Sequence, residues 1–585
     1  MAIASGAASA DEAEERDLEP IARSVVFLDP SVGRPPLDPV TDTAILGEIQ
    51  RAFASLGTVE AARERLVHHF GLVAVPALQR VLAANRNVTE VWNTALTVAA
   101  LRDLEGPAFE LLAALRPLVK VLDSGGDAHT NAMAALALGC FHYHQEALPA
   151  RYTAKPAPGA KLPASVPGVE SERRRAAKAL RDGRRLLATN LDHELMFFRI
   201  AASFAMAKMG GAQVAREFFA VDPPAANPQP RRARLLASAF LGAPDAKAYR
   251  RHLLGVTAKA AQTNEEASAA LAMAVAMLQQ EPADWTRETK DVLRHLRGTG
   301  TSLPEAAAER VFAQGVCAYV NQATSAWDDV WAVATRATAD EDVAGAAAQI
   351  LVHCHVPAVE ARIINMLVNP SKKPHLPVLA MVLLRAGEAG NADALPKLAE
   401  WLRERGRRPA ANARWDPRWY AIVGLLRALE QGRIKPRAER VLVVDALLRA
   451  AGGTLDKDAT VRGPLQALLA VHGEKLKAAD ETALYRLPRV EVARVERSFD
   501  CPYGLLARDA VDACVDRVNG MVEDIFGLKN VPAWKPGGDN SKYQPQRYLK
   551  RYLARYPYFS RLEFRSERGR RAEPALADGV PGIDR

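Results

Sequence analysis

The 585-residue chain is predicted to be all-α, a solenoid of stacked antiparallel helix pairs. Three observations carry that expectation. The apolar residues make up 49% of the chain with only 6% aromatic, and they are mostly Ala and Leu, which favour helices over the β-branched and aromatic mix of strands. Amphipathic segments of helical period open near residues 265, 304, 340, 374 and 416, at spacings of 39, 36, 34 and 42 residues. Each is followed by a break and a second amphipathic helix, the period of an α-solenoid. Capping chemistry also falls at the expected boundaries.

Composition excludes several classes. So much apolar surface offsets the entropy of ordering, so the chain as a whole is not disordered. No stretch approaches the ~20 uninterrupted apolar residues that would cross a bilayer. The five cysteines, 140, 317, 354, 501 and 514, are too scattered for a disulfide framework.

The elements follow in order. Residues 1–45, with five prolines, read as an irregular N-terminal arm. The small-residue run Ala8-Ser9-Ala10 before Asp11 has neither a basic start nor an apolar stretch ahead of it. A cytoplasmic protein is therefore expected. Export is the alternative, if the true start lies upstream and cleavage follows Ala10. Residues 46–490 carry the helix pairs, interrupted by Pro/Ala-rich loops at 151–170 and 221–232.

First helices read at 265–280, 304–320, 340–352 and 374–385, and second helices at 285–296, 326–337, 358–367 and 394–405. Thr263 with Glu266 and Ser302 with Glu305 have capping-box spacing. Asp416-Pro417 places a capping carboxylate before a proline suited to a first helical position. Gly387 and Gly390 punctuate the turn between two helices.

The segment LLRAGEAGNADALPKLAEWL (383–402) resembles a HEAT-like repeat: a first helix, a Gly- and Asp-bearing turn, then ALPxLxxxL. NAMAALALGCF (131–141) and FRIAASFAMAKMGGAQVAREFF (198–219) are weaker versions. The likeness extends over roughly 46–490 and is close only at 374–402. It implies a right-handed superhelix serving as a binding scaffold, and it implies no catalytic residue, because the motif records helix packing alone.

Local chemistry is sparse. Cys140, His142 and His144, and likewise His353, Cys354 and His355, are metal-ligand types. On a regular helix, residues two apart diverge, so each set reads as polar positions at a helix end. Asp509, Asp512 and Asp516 line one face of a helix expected at 504–528, and Val511, Cys514, Val515, Val518, Met521, Val522 and Ile525 make its apolar face. This is the pattern of a solvated stripe. No phosphate loop, nucleophile elbow, dinucleotide fingerprint or HExxH occurs, so neither an enzyme nor a cofactor is expected.

Residues 491–585 are expected to form a helical cap with a basic, aromatic tail. Between 542 and 571 stand ten basic residues against two glutamates, a local excess of +8 in a chain whose formal charge is +9. Two readings of this tail stand side by side. Arg547, Tyr548, Lys550, Arg551, Tyr552 and Arg555 form a surface for an anionic partner, cations on phosphates and rings on bases. Alternatively, the Tyr/Leu stripe seals the last helix pairs and the arginines face water. The function expected first is a non-catalytic scaffold binding another protein through a concave face, with nucleic-acid binding through the tail as the alternative.

Overall fold

The computed structural model describes residues 39–141 and 307–451, each with short gaps, together with 169–209, 228–238, helical turns within 268–275, 507–532 and 544–559. The protein is all-α: the described residues are overwhelmingly helical, and none of them lies in a strand. Two compact units are distinguished. One comprises residues 1–253 with 515–585, the other residues 254–514.

In the first unit, α1 (Pro39–Ala52) opens inside the segment expected to be an irregular arm. Pro39, the last of its prolines, stands at the helix start, where its missing N–H has no helical partner to lose. Then come α2 (Val59–Glu64), a π turn (Arg65–Phe70), a 3₁₀ turn (Gly71–Ala74) and α3 (Val75–Ala84). They are followed by α4 (Val88–Glu105), α5 (Phe109–Leu112), α6 (Leu115–Asp123) and α7 (Ala128–Gly139). Beyond these lie α8 (Val169–Thr189), α9 (Met196–Met209) and α10 (Pro228–Ser238). Thus the ends of both Pro/Ala-rich segments expected as loops, from Val169 and from Pro228 onward, are already helical.

Packing alternates along the chain. Helix α7 lies between α4 and α9, and α9 packs on α10; alongside them α6 lies between α3 and α8. The first row is apolar nearly all round. In α9, eleven residues from Phe198 to Met209 are buried, and in α7 every residue from Thr130 to Gly139 is. A helix hydrophobic on all sides has neighbours on all sides. The second row buries one face only. In α6, Leu115, Leu118, Val121 and Leu122 are inside while Arg116 and Lys120 are exposed.

The second unit contains α11 (Ala307–Val320), α12 (Thr324–Thr335), α13 (Glu341–His353) and α14 (Pro357–Val368). It continues with α15 (Leu376–Ala389), α16 (Ala394–Arg405), α17 (Pro417–Glu430) and α18 (Arg437–Ala451). The helices from α11 to α16 fall within a few residues of those read from periodicity, and α17 opens where a first helix is expected near 416, whereas α18 is not among those read. Helices α11, α13, α15 and α17 pack in succession, and α14, α16 and α18 do likewise. The expected helix at 285–296 and the capping boxes at 263 and 302 lie outside the described residues, as do most of 265–280 and Asp416.

The two glycines of the 383–402 segment do different jobs. Gly390 ends α15 in the left-handed region at φ 60°, as a turn glycine should. Gly387, expected in the same turn, is instead inside the helix. A Cβ there would stand 2.9 Å from the Gly424 carbonyl carbon of α17, so the pair lets two backbones meet.

Toward the C-terminus, α19 (Ala507–Ile525) and a 3₁₀ turn (Leu528–Asn530) precede α20 (Gln544–Arg555). Cys514, Val515, Val518, Met521, Val522 and Ile525 of α19 are buried, the apolar face expected. The side chains of Val511, Asp509, Asp512 and Asp516 lie outside the described residues. Helix α20 packs on α4. The Tyr/Leu stripe expected to seal the last helix pairs is instead buried against the beginning of the chain, where Tyr548 meets Trp92 of α4 and Tyr552 lies beside Arg63.

Candidate functional site: the C-terminal segment on the first helices

The six residues assigned to an anionic partner are divided by the fold. Tyr548 and Tyr552 are each 1% exposed and Arg547 is buried, while Lys550 and Arg551 are half-buried and Arg555 is exposed. Both rings are therefore inside the protein and unavailable as stacking platforms for bases. Helical spacing puts Tyr548, Leu549, Tyr552 and Leu553 on one face of α20, and that whole face is buried.

Two of the cations, Arg551 and Arg555, turn to residues 56–64. Arg555 donates from Nε and Nη2 to the two carboxylate oxygens of Glu64, at 2.7 and 2.9 Å. Tyr556 Oη donates to the same carboxylate at 2.9 Å. Burial works against the charged form of Glu64, but the hydrogen bonds from Arg555 and Tyr556 outweigh it and hold its carboxyl below the usual range. Arg551 donates to the Leu56 carbonyl at 2.7 Å, and Arg547 to that of Pro532 at 3.2 Å.

Beneath α20 lies a polar seam. Arg63, 2% exposed, donates to Asn93 Oδ1 at 2.8 Å, and its guanidinium stands 5.4 Å from the Tyr552 ring centroid. Asn93 in turn donates to the carbonyls of Phe53 and Thr89. A buried arginine is tolerable only with such partners and an aromatic face to stack on. Tyr548 meets Trp92 edge-on at 6.2 Å, and Trp92 Nε1 donates to Thr130 Oγ1 at 2.7 Å.

The segment after α20 reaches a second polar centre. Lys208 of α9 places Nζ 2.8 and 2.9 Å from the two Asp103 oxygens, 3.2 Å from Cys140 Sγ and 2.7 Å from the Tyr558 carbonyl. Its ammonium also lies 4.4 Å from the Tyr558 ring centroid. Burial alone would push the lysine down, yet the Asp103 charge more than reverses this and raises it. Burial, with Asp103 beside it, pushes the Cys140 thiol up to about 12. It remains a protonated thiol at neutral pH, not a nucleophile.

Room for this docking is made by Gly139, where a Cβ would stand 2.5 Å from Ala205 Cα and would also strike the Tyr558 hydroxyl. Tyr558 Oη donates to the Leu136 carbonyl at 3.1 Å, and the Phe559 amide to Asn519 Oδ1 at 3.1 Å.

The sequence reading did not find the Asp103–Cys140–Lys208 centre. The trace it left was slight: a lysine inside the apolar run of α9. Of the metal-type positions, Cys140 faces Lys208 and Asp103, while the side chains of His142, His144, His353, Cys354 and His355 lie outside the described residues. Among the described residues no three His, Cys, Asp or Glu are placed to hold a metal ion. What the arrangement does chemically is hold: an ion pair, two aromatic clusters and a set of carbonyl bonds fasten residues 544–559 to helices α2, α4, α7 and α9. In comparisons with protein-family models, curated proteins and solved structures, none matches this chain.

Proposed function

We propose that the chain is a HEAT-like α-solenoid scaffold that binds another protein through the concave face of its stacked helices. The observation that carries this reading is the packing of helices in rows within each unit, α4, α7, α9 and α10 in the first and, each on the next but one, α11, α13, α15 and α17 in the second. Stacking of that kind is how repeat proteins build extended recognition surfaces. In the first unit the chain's own C-terminal segment already occupies part of a row. The second unit supplies the binding surface, and its half-exposed Trp419 and Tyr420 at the start of α17 are of the residue types that anchor interfaces.

The test is affinity purification of the full chain from its native cells, followed by quantitative mass spectrometry. A protein recovered in stoichiometric amount, and lost when Trp419 and Tyr420 are both changed to Ala, supports the reading. Recovery of no protein above a charge-matched control overturns it.

A further inference from the structure

We infer that Cys140 and Lys208 are a redox-sensitive pair, which a peroxide joins through a reversible sulfenamide bond between Sγ and Nζ. Lys208 Nζ stands 3.2 Å from Cys140 Sγ, in contact with it. One oxygen of Asp103, Oδ2, serves both groups, 2.8 Å from the nitrogen and 3.9 Å from the sulfur. The Tyr558 carbonyl, 2.7 Å from Nζ, and the Tyr558 ring, its centroid 4.4 Å away, cover the ammonium. Packing of the helices fixes this meeting. Cys140 caps the end of α7 and Lys208 lies in the last turn of α9. The two helices approach closely there, since a Cβ on Gly139 would stand 2.5 Å from Ala205 Cα.

The reaction balances within the cluster once a peroxide is supplied. Peroxide converts the thiol to a sulfenic acid, its O–O bond breaking and the thiol proton leaving in water. The Lys208 ammonium then gives one proton to Asp103. Its nitrogen forms the bond to Sγ, and the sulfenic hydroxyl departs as water with a second proton from that nitrogen. Sulfur has lost two electrons and the peroxide has gained them. Asp103 ends as a neutral carboxylic acid beside a neutral nitrogen, so no unpaired charge stays buried, the usual cost of altering one member of such a pair.

The consequence falls on the C-terminal segment. The ammonium that holds the Tyr558 carbonyl and faces its ring is consumed, so the oxidised pair grips residues 556–559 less firmly. With the segment seated, Cys140 is 1% exposed. Oxidation therefore belongs to molecules in which the segment has lifted locally, and the bond prolongs that opening.

The experiment treats the full chain with hydrogen peroxide, digests it without reductant and reads cross-linked peptides by mass spectrometry. A peptide bearing Cys140 should be joined to one bearing Lys208, about 2 Da lighter than their sum, and dithiothreitol should separate them. Cys317 and Cys514, also buried, should join no lysine. Lys208→Arg keeps the charge but has no amine, and should form no cross-link. Arg555→Glu breaks the clasp on Glu64 and should speed cross-linking severalfold. Hydrogen exchange of the 556–559 segment should quicken after peroxide in the unsubstituted chain and recover with dithiothreitol. In Lys208→Arg peroxide should leave that exchange as it was.

Absence of the 140–208 cross-link under conditions that oxidise the chain's methionines overturns the proposal. So does unchanged exchange in the cross-linked chain, or cross-linking no faster in Arg555→Glu. A cross-link about 16 Da heavier than the sulfenamide, retaining one oxygen, overturns the direct bond. None of these outcomes bears on protein recovery through Trp419 and Tyr420, so the two readings fail separately.

Discussion

Asp103 stands on α4, Lys208 on α9 and Cys140 just past the end of α7, and the contact that joins them also holds the Tyr558 carbonyl. Removing one member of a buried ion pair leaves its partner charged and unpaired, at a cost of about 3–5 kcal/mol. Lys208, only 9% exposed at its side chain, is the more deeply buried member of the pair. We expect Asp103→Ala to lower the stability of the first unit by about 3 kcal/mol, and Asp103→Leu combined with Lys208→Met to recover most of that loss. Urea denaturation followed by hydrogen exchange of α9 amides checks both; equal losses in the single and double variants would show that the ion pair is not the cause.

A pH prediction belongs to Glu64. Its carboxyl is held below the ordinary glutamate value of 4.5 in the folded chain. A depressed carboxylate stabilises the fold fully above its unfolded value, and the contribution is lost as pH falls through the lowered folded value. The clamp on Arg555 and Tyr556 should therefore be intact at pH 6 and released only on acidification below about 4. Protection of the 544–559 amides against exchange should drop in that window, and Glu64→Gln should abolish the pH dependence.

Single elements show where helix propensity and packing disagree. Replacing a helical glycine by alanine ordinarily gains about 1 kcal/mol. At Gly139 the new Cβ would lie 2.5 Å from the Ala205 Cα, which belongs to the backbone of a neighbouring helix and cannot rotate away. Overpacking of this kind costs about 1–3 kcal/mol, so Gly139→Ala should lower the melting temperature despite its better propensity. Gly424→Ala, whose Cβ would meet the Leu384 carbonyl in α15, should do the same in the second unit.

Asp127 is the contrary case of a purely local signal. It accepts from the amides of His129 and Thr130, at 2.9 and 3.1 Å, and so caps α7. Asp127→Ala should cost about 1 kcal/mol, and Asp127→Asn much less, in thermal denaturation at neutral pH.

At the scale of the whole molecule, the first unit is closed by a segment some 450 residues away in the chain, Arg551 reaching Leu56 across a separation of 495. Truncation before Gln544 should uncover α4, α7 and α9 together with Arg63 and Lys208. We expect exposed apolar surface by dye binding and faster exchange in those three helices. A peptide of residues 542–559 added in trans should reverse both effects. A truncated chain with native exchange rates would mean that the segment only decorates the unit.

Helix identity was legible in the sequence because it is written locally: Ala- and Leu-rich amphipathic runs, and a proline or glycine at a boundary. The second unit's pairs from Ala307 to Arg405 were placed correctly for that reason, and the buried face of α19 likewise. What the tail touches was not legible. Tyr548 and Tyr552 at helical spacing announce a stripe that something covers, but the same spacing serves a base, another protein or the chain itself. Gly387 reads as a turn residue until α17 is seen against it, and Lys208 reads as an exposed lysine until Asp103 and Tyr558 surround it. The choice of partner is made by shape and charge brought together from sequence-distant helices, and no periodicity along one helix records it.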